Sequence, residues 1–125
     1  MQGDIQLIKA WFNAWRTRCF GPLSVYFTEN VCYIESYGPM YQGLEELQHW
    51  VAHQVSVQVV DLWEIEKIQQ VSSDEYMVTW YFEAHTNEDR IAFDGLSAIN
   101  FRDGKIKRVA EYASKHEHTR PYQDL

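Results

Sequence analysis

Ile99-Asn100-Phe101-Arg102-Asp103-Gly104-Lys105-Ile106-Lys107-Arg108-Val109 is the stretch that decides the fold of this chain. Asp103-Gly104 is its strongest hairpin signal, because a two-residue turn needs left-handed backbone that Asp and Gly accept at little cost. Lys105-Ile106-Lys107-Arg108 alternates as a strand end with one wet side does. Further back, Ser72-Ser73-Asp74 and Asn87-Glu88-Asp89 are also turn chemistry. They delimit four extended segments, roughly 57–71, 75–87, 90–102 and 105–114. Consecutive strands joined by such short connections form an antiparallel meander.

The chain before the meander has a different period. Ile5, Ile8, Trp11, Phe12, Trp15 and Cys19 recur at helical spacing, which predicts a helix over 5–19 with Asp4 as N-cap. Gly21-Pro22 stops it, and a short second helix fits Leu23 to Phe27. Val31 to Tyr37 reads as a strand, Gly38-Pro39 as a turn, and Met40 to Gln42 as a short return strand. Gly43 opens a third helix, with Glu45 and Glu46 in the first turn and Leu44, Leu47, Trp50 and Val51 as its buried stripe. Helices and strands are segregated, so the class is α+β: a strongly curved antiparallel sheet wrapped around a long N-terminal helix, with two further helices. Gly95, inside a strand, is a candidate bulge that sharpens the curl into a cone.

The 125 residues fit one domain, 1–125, and 46% hydrophobic residues suffice for a real core. Five Trp, eight Tyr and six Phe supply rings large enough to wall a cavity. A net charge of −7 leaves no cationic footprint for nucleic acid. No stretch approaches a membrane span and no secretory leader is expected, so the expected location is cytoplasmic. Cys19 and Cys32 are expected to be reduced and mostly buried.

Three acids interrupt apolar strands: Glu35, Asp94 and Glu111. A carboxylate facing an apolar interior must be paired, hydrogen-bonded or protonated, and such shifted acids serve general acid–base chemistry. For each, two readings stand. Glu35 is a cavity base, or it pairs with the turn backbone or with Arg16 or Arg18. Asp94 is a cavity acid, or it braces a bulge at Gly95. Glu111 faces Glu35 across the cone, or it points outward. Trp11, Trp15, Tyr33, Trp63, Trp80 and Phe82 are core residues or ligand contacts. Glu46, His49 and His53 share a helix face opposite the apolar stripe, so they are expected in solvent and no metal site is assigned. The polar tail carrying His116-Glu117-His118 is expected to be mobile, or to fold over the cone mouth.

Tyr33-Ile34-Glu35-Ser36-Tyr37-Gly38-Pro39-Met40-Tyr41-Gln42-Gly43-Leu44-Glu45-Glu46-Leu47, together with Phe93-Asp94-Gly95-Leu96-Ser97, Asp103-Gly104-Lys105-Ile106 and Glu111-Tyr112, resembles the nuclear transport factor 2-like, or SnoaL-like, superfamily. The resemblance covers nearly the whole chain. It implies the cone fold. By comparison with the superfamily's steroid isomerases it also implies a general base at Glu35. The positions of that family's oxyanion-binding tyrosine and aspartic acid resemble Trp11 and Ser97 here, with Asp94 a further acid nearby.

The resulting expectation is a small apolar ligand pocket with cofactor-free acid–base chemistry, of isomerase, cyclase or dehydratase type, on a small carbonyl compound. Glu35, Asp94 and Ser97 are its candidate catalytic residues; Trp11, Trp15, Tyr33, Trp63, Trp80 and Glu111 are its candidate ligand contacts. The alternative is a non-catalytic module that binds a small hydrophobic molecule or serves dimeric interaction. Both faces of the strands are apolar, which predicts a homodimer through the sheet face.

Overall fold

The computed structural model describes residues 2–125. Helix α1 runs Gln2–Thr17, followed by a single 3₁₀ turn at Leu23–Val25. Strand β1 (Phe27–Ile34) and strand β2 (Met40–Gln42) form a hairpin that leads into helix α2 (Gly43–Val57). The meander is β3 (Val59–Gln70), β4 (Glu75–His85), β5 (Arg90–Arg102) and β6 (Lys105–Ser114). One six-stranded sheet results, in the order β2-β1-β6-β5-β4-β3.

The sheet is mixed rather than wholly antiparallel. β1 pairs with β6 in parallel, with Tyr33 opposite Val109 and Ile34 opposite Ala110. The intervening chain has crossed the whole sheet before returning, so β6 arrives running the same way as β1. Every other pairing is antiparallel. The Asp103-Gly104 turn has positive φ at both residues, 52° and 81°, as a tight hairpin requires.

Helix α1 begins earlier than its apolar spacing suggests, and it ends earlier because Arg18 takes a φ of 62°. Asp4 thus lies in the first turn, where its carboxylate accepts the Tyr76 hydroxyl at 3.0 Å. The expected second helix closes as one 3₁₀ turn, because Phe27 is already paired with Ile106 in the sheet. Cys19 is exposed, since it falls past the helix end; Cys32 is half-buried, and neither forms a disulfide. No helix among the described residues is long and apolar enough to cross a membrane.

The core is an aromatic wedge between α1 and the concave sheet face. Trp11, 1% exposed, packs edge-on against Phe27 at 4.7 Å and Tyr33 at 6.0 Å between ring centroids. Phe12 lies 4.0 Å from Trp63 of β3. Bulges between Val60 and Leu62, between Ile65 and Lys67, and between Asn100 and Phe101 bend the sheet around the helix. Gly95 is not among them: its ladder is regular on both sides. A Cβ there would run into the benzo ring of Trp80, so Gly95 is the seat on which that indole lies.

Candidate functional site

The wide end of the cone holds a cavity of about 560 Å³. Trp15 of α1, Trp50, Gln54 and Gln58 at α2 and its end, Trp63 of β3, Trp80 and Phe82 of β4, and Phe93 of β5 form its walls. Glu35 and Glu111 both line it. Their meeting follows from register. Ile34 pairs with Ala110, so the next residue on each parallel strand points to the same inner face.

Glu35 sits in the β1–β2 turn, where its backbone N–H donates to the Pro39 carbonyl at 2.9 Å. Its Oε1 accepts the Tyr41 hydroxyl at 2.7 Å and the Tyr37 hydroxyl at 3.2 Å. Burial pushes its pKa above the ordinary carboxylate value, against the pull of those tyrosines and of the nearby Trp50 indole. Among the described residues, the alternative pairing with Arg16 or Arg18 does not occur. Arg16 reaches Asn13, and Arg18 donates to the carbonyls of Val55 and Gln58.

Glu111 faces inward. Its Oε2 accepts the Tyr33 hydroxyl at 2.6 Å, and that hydroxyl accepts the Trp11 indole N–H at 3.3 Å. Burial, reinforced by the negative charge of Glu35, raises the Glu111 carboxyl to about 8, although the Tyr33 bond pulls it down. Burial, with the Glu111 carboxyl beside it, holds Tyr33 well above the ordinary phenol value. Glu111 is therefore largely protonated at neutral pH. The two tyrosine hydroxyls share Glu35 Oε1, and Tyr33 takes Glu111 Oε2.

The other candidates divide cleanly. Trp15, Trp63 and Trp80 line the cavity; Trp11 and Tyr33 lie behind it, packed on Trp15 and Trp50 and joined to Glu111 by hydrogen bonds. Ser97 is buried in the wall, where its hydroxyl accepts the Trp80 indole N–H at 2.9 Å, and it does not line the cavity. Asp94 does not face the cavity at all. Phe93 and Gly95 take the inner positions of β5, so strand alternation turns Asp94 outward, 2.8 Å from His116. His116 also stands 4.4 Å from the Tyr81 ring, which fixes the start of the tail against the outer face. Glu46 closes the α2 N-terminus by accepting the Gln42 backbone N–H.

Sequence reasoning passed over Tyr37, Tyr41, Gln54 and Gln58, and read Trp50 as a plain core residue. Trp50 and Gln54 are four apart on α2, a spacing that marks a shared face without saying that the face looks into a void. The indole N–H groups of Trp15, Trp50 and Trp63 are buried without an acceptor of regular geometry.

A curved sheet folded over one helix, with carboxyls at the head of an aromatic cavity, defines an α+β cone protein. The model of the SnoaL-like domain matches residues 8–109, and the chain belongs to that family, within the nuclear transport factor 2-like superfamily. No curated protein matches it. Among solved structures, it is similar to a hypothetical protein of ketosteroid isomerase-like fold from Catenulispora acidiphila, in complex with trimethylamine, at 20% identity and TM-score 0.76, over 86% of this chain and 85% of that one. An epoxide hydrolase of the LEH-like type from M. tuberculosis is 13% identical, with TM-score 0.81 over 91% and 84% of the two chains. A candidate polyketide cyclase from Xanthomonas campestris is 15% identical, with TM-score 0.75 over 90% and 91%. At these identities the likeness is one of fold.

Proposed function

We propose that the cavity carries out cofactor-free acid–base chemistry, of isomerase, cyclase or dehydratase type, on a small carbonyl compound. The observation that carries this reading is the pair of inward acids, Glu35 and Glu111, held on neighbouring strands with different partners. Glu35, as carboxylate, removes a proton from the carbon beside the carbonyl. Glu111, as the neutral acid, donates to the carbonyl oxygen while it gains enolate charge. The oxygen-stabilising role thus passes from Trp11, Ser97 and Asp94 to Glu111, with Tyr33 and Trp11 positioning it. The buried indole N–H groups of Trp15 and Trp63, which lack an acceptor, support a ligand that bears an acceptor oxygen. The cyclase and epoxide hydrolase among proteins of like fold support small-molecule chemistry in such a cone.

The test is solvent deuterium exchange at the carbon beside the carbonyl, followed by NMR over a panel of small cyclic ketones. Wild-type protein accelerates exchange for at least one ketone, and Glu35→Gln abolishes that acceleration while circular dichroism stays unchanged. Equal exchange in the variant overturns the mechanism. A second reading, a module that binds without turnover, is favoured by Ser97 and Asp94 being committed to Trp80 and His116. It is the reading that survives if no ketone exchanges. We further propose a homodimer through the outer sheet face, where Tyr112 is 60% exposed.

A further inference from the structure

We infer that this cavity takes a small organic cation, a protonated or quaternary amine on an apolar body, as a ligand seated at the acid pair. The inference rests on the cavity being the functional site, and it adds the charge of the ligand. Three observations carry it.

The first is missing countercharge. Glu35 and Glu111 enter the cavity, and neither has a basic partner among the described residues. The ion pairs there are His85 with Asp61 and His116 with Asp94, both outside the cavity. Among the described residues, Lys115 is the one basic residue in the lining; it is exposed and makes no ion pair there. The second is the wall. Trp15, Trp50, Trp63, Trp80, Phe82 and Phe93 surround the acids, and aromatic rings are the surfaces that hold alkylammonium groups, Trp best of all. The third is the whole-molecule field: a net charge of −7 draws cations towards the cavity and repels anions. An anionic ligand meets the Glu35 carboxylate, a charge of its own sign, with no cation beside it among the described residues. A neutral one leaves the Glu35 carboxylate buried against apolar surface with no countercharge, which is costly. A cation answers both.

Proton linkage provides a signature. A cation beside Glu111 lowers that carboxyl from about 8, so binding near neutral pH releases its proton. The charged and titratable groups around it are Tyr33 and Glu35 from the β1 side, Tyr37 and Tyr41 from the hairpin, and Lys115 at the rim. The tyrosines are all raised above their ordinary phenol value, so none of them loses a proton at neutral pH.

The experiment uses three probes of similar shape: benzyltrimethylammonium, its uncharged carbon isostere neopentylbenzene, and phenylacetate. Binding to the full chain at pH 7 is read by quenching of tryptophan fluorescence. Proton release is read by calorimetry in two buffers of different ionisation enthalpy. The cation is expected to bind at least about tenfold more tightly than the isostere, the scale of a desolvated cation–aromatic contact. It is also expected to release a proton that Glu111→Gln does not release. Isostere binding equal to or tighter than the cation, preference for phenylacetate, cation binding without proton release, or no binding of any probe each overturns the inference. The isostere comparison needs no variant, so it holds even if Glu111→Gln folds poorly. Ketone exchange that persists while the cation fails to bind removes the charge assignment alone. Cation binding without any Glu35-dependent exchange removes the acid–base reading alone.

Discussion

The Tyr33 hydroxyl donates to Glu111 Oε2 across 2.6 Å, behind a wall rich in aromatic rings. The same hydroxyl accepts a hydrogen bond from the Trp11 indole N–H, so one oxygen joins the core helix to the cavity. Removing it strands two partners. Tyr33→Phe leaves a buried indole N–H and a buried carboxyl unsatisfied, and is expected to cost about 1–3 kcal/mol in urea denaturation. It also removes the bond that lowers the Glu111 carboxyl, so Glu111 titrates at higher pH in the variant, which side-chain NMR resolves.

Activity on any ketone that exchanges should follow a bell in pH. The rising limb is ionisation of Glu35, displaced above the ordinary carboxylate value of 4.5. The falling limb is loss of the Glu111 proton at about 8. Glu111→Gln should abolish the falling limb and lower the plateau, because an amide N–H donates but transfers no proton. A plateau that continues through pH 9 in wild type rules out the acid role.

Stability should depend on pH through Glu111 in the sense opposite to that of a salt-bridged acid. Its folded pKa lies above the unfolded value, so the folded chain holds a proton that the unfolded chain has already lost. Its contribution is full below about 4.5 and is lost as pH rises through about 8. Denaturation of wild type and Glu111→Gln across that window is expected to show the variant gaining relative stability as pH rises.

Gly95→Ala is expected to destabilise by about 1–3 kcal/mol, the cost of forcing atoms into a packed core. The added methyl meets the Trp80 ring and displaces the indole from Ser97, its acceptor at 2.9 Å. Tryptophan emission reports the displacement; an unchanged spectrum and stability refute it.

Assembly is tested by light scattering after gel filtration. The expected mass is that of a dimer, and Tyr112→Glu, which places a charge on the outer sheet face, is expected to shift it to monomer. The outer position follows from Glu111 facing inward on the same strand.

The meander, the Asp103-Gly104 turn and the helix opening at Gly43 were legible because each is written in neighbouring residues. Glu35 was legible too, as an acid at the end of an apolar run beside a turn. Asp94 and Glu111 were not separable. Each interrupts an apolar strand, and a strand with two apolar faces gives no sign of which one looks inward. Only the ladder turns Asp94 to His116 and Glu111 to Tyr33.

Local chemistry in the chain determined where strands begin, where they turn and that helices precede them, since turns and caps depend on residues a few positions apart. The tertiary structure decided which acids share the cavity. β1 and β6 become neighbours only after the sheet has curled around α1, and that parallel pairing brings Glu35 beside Glu111. The burial that raises both carboxyls exists only once the aromatic walls have closed around them.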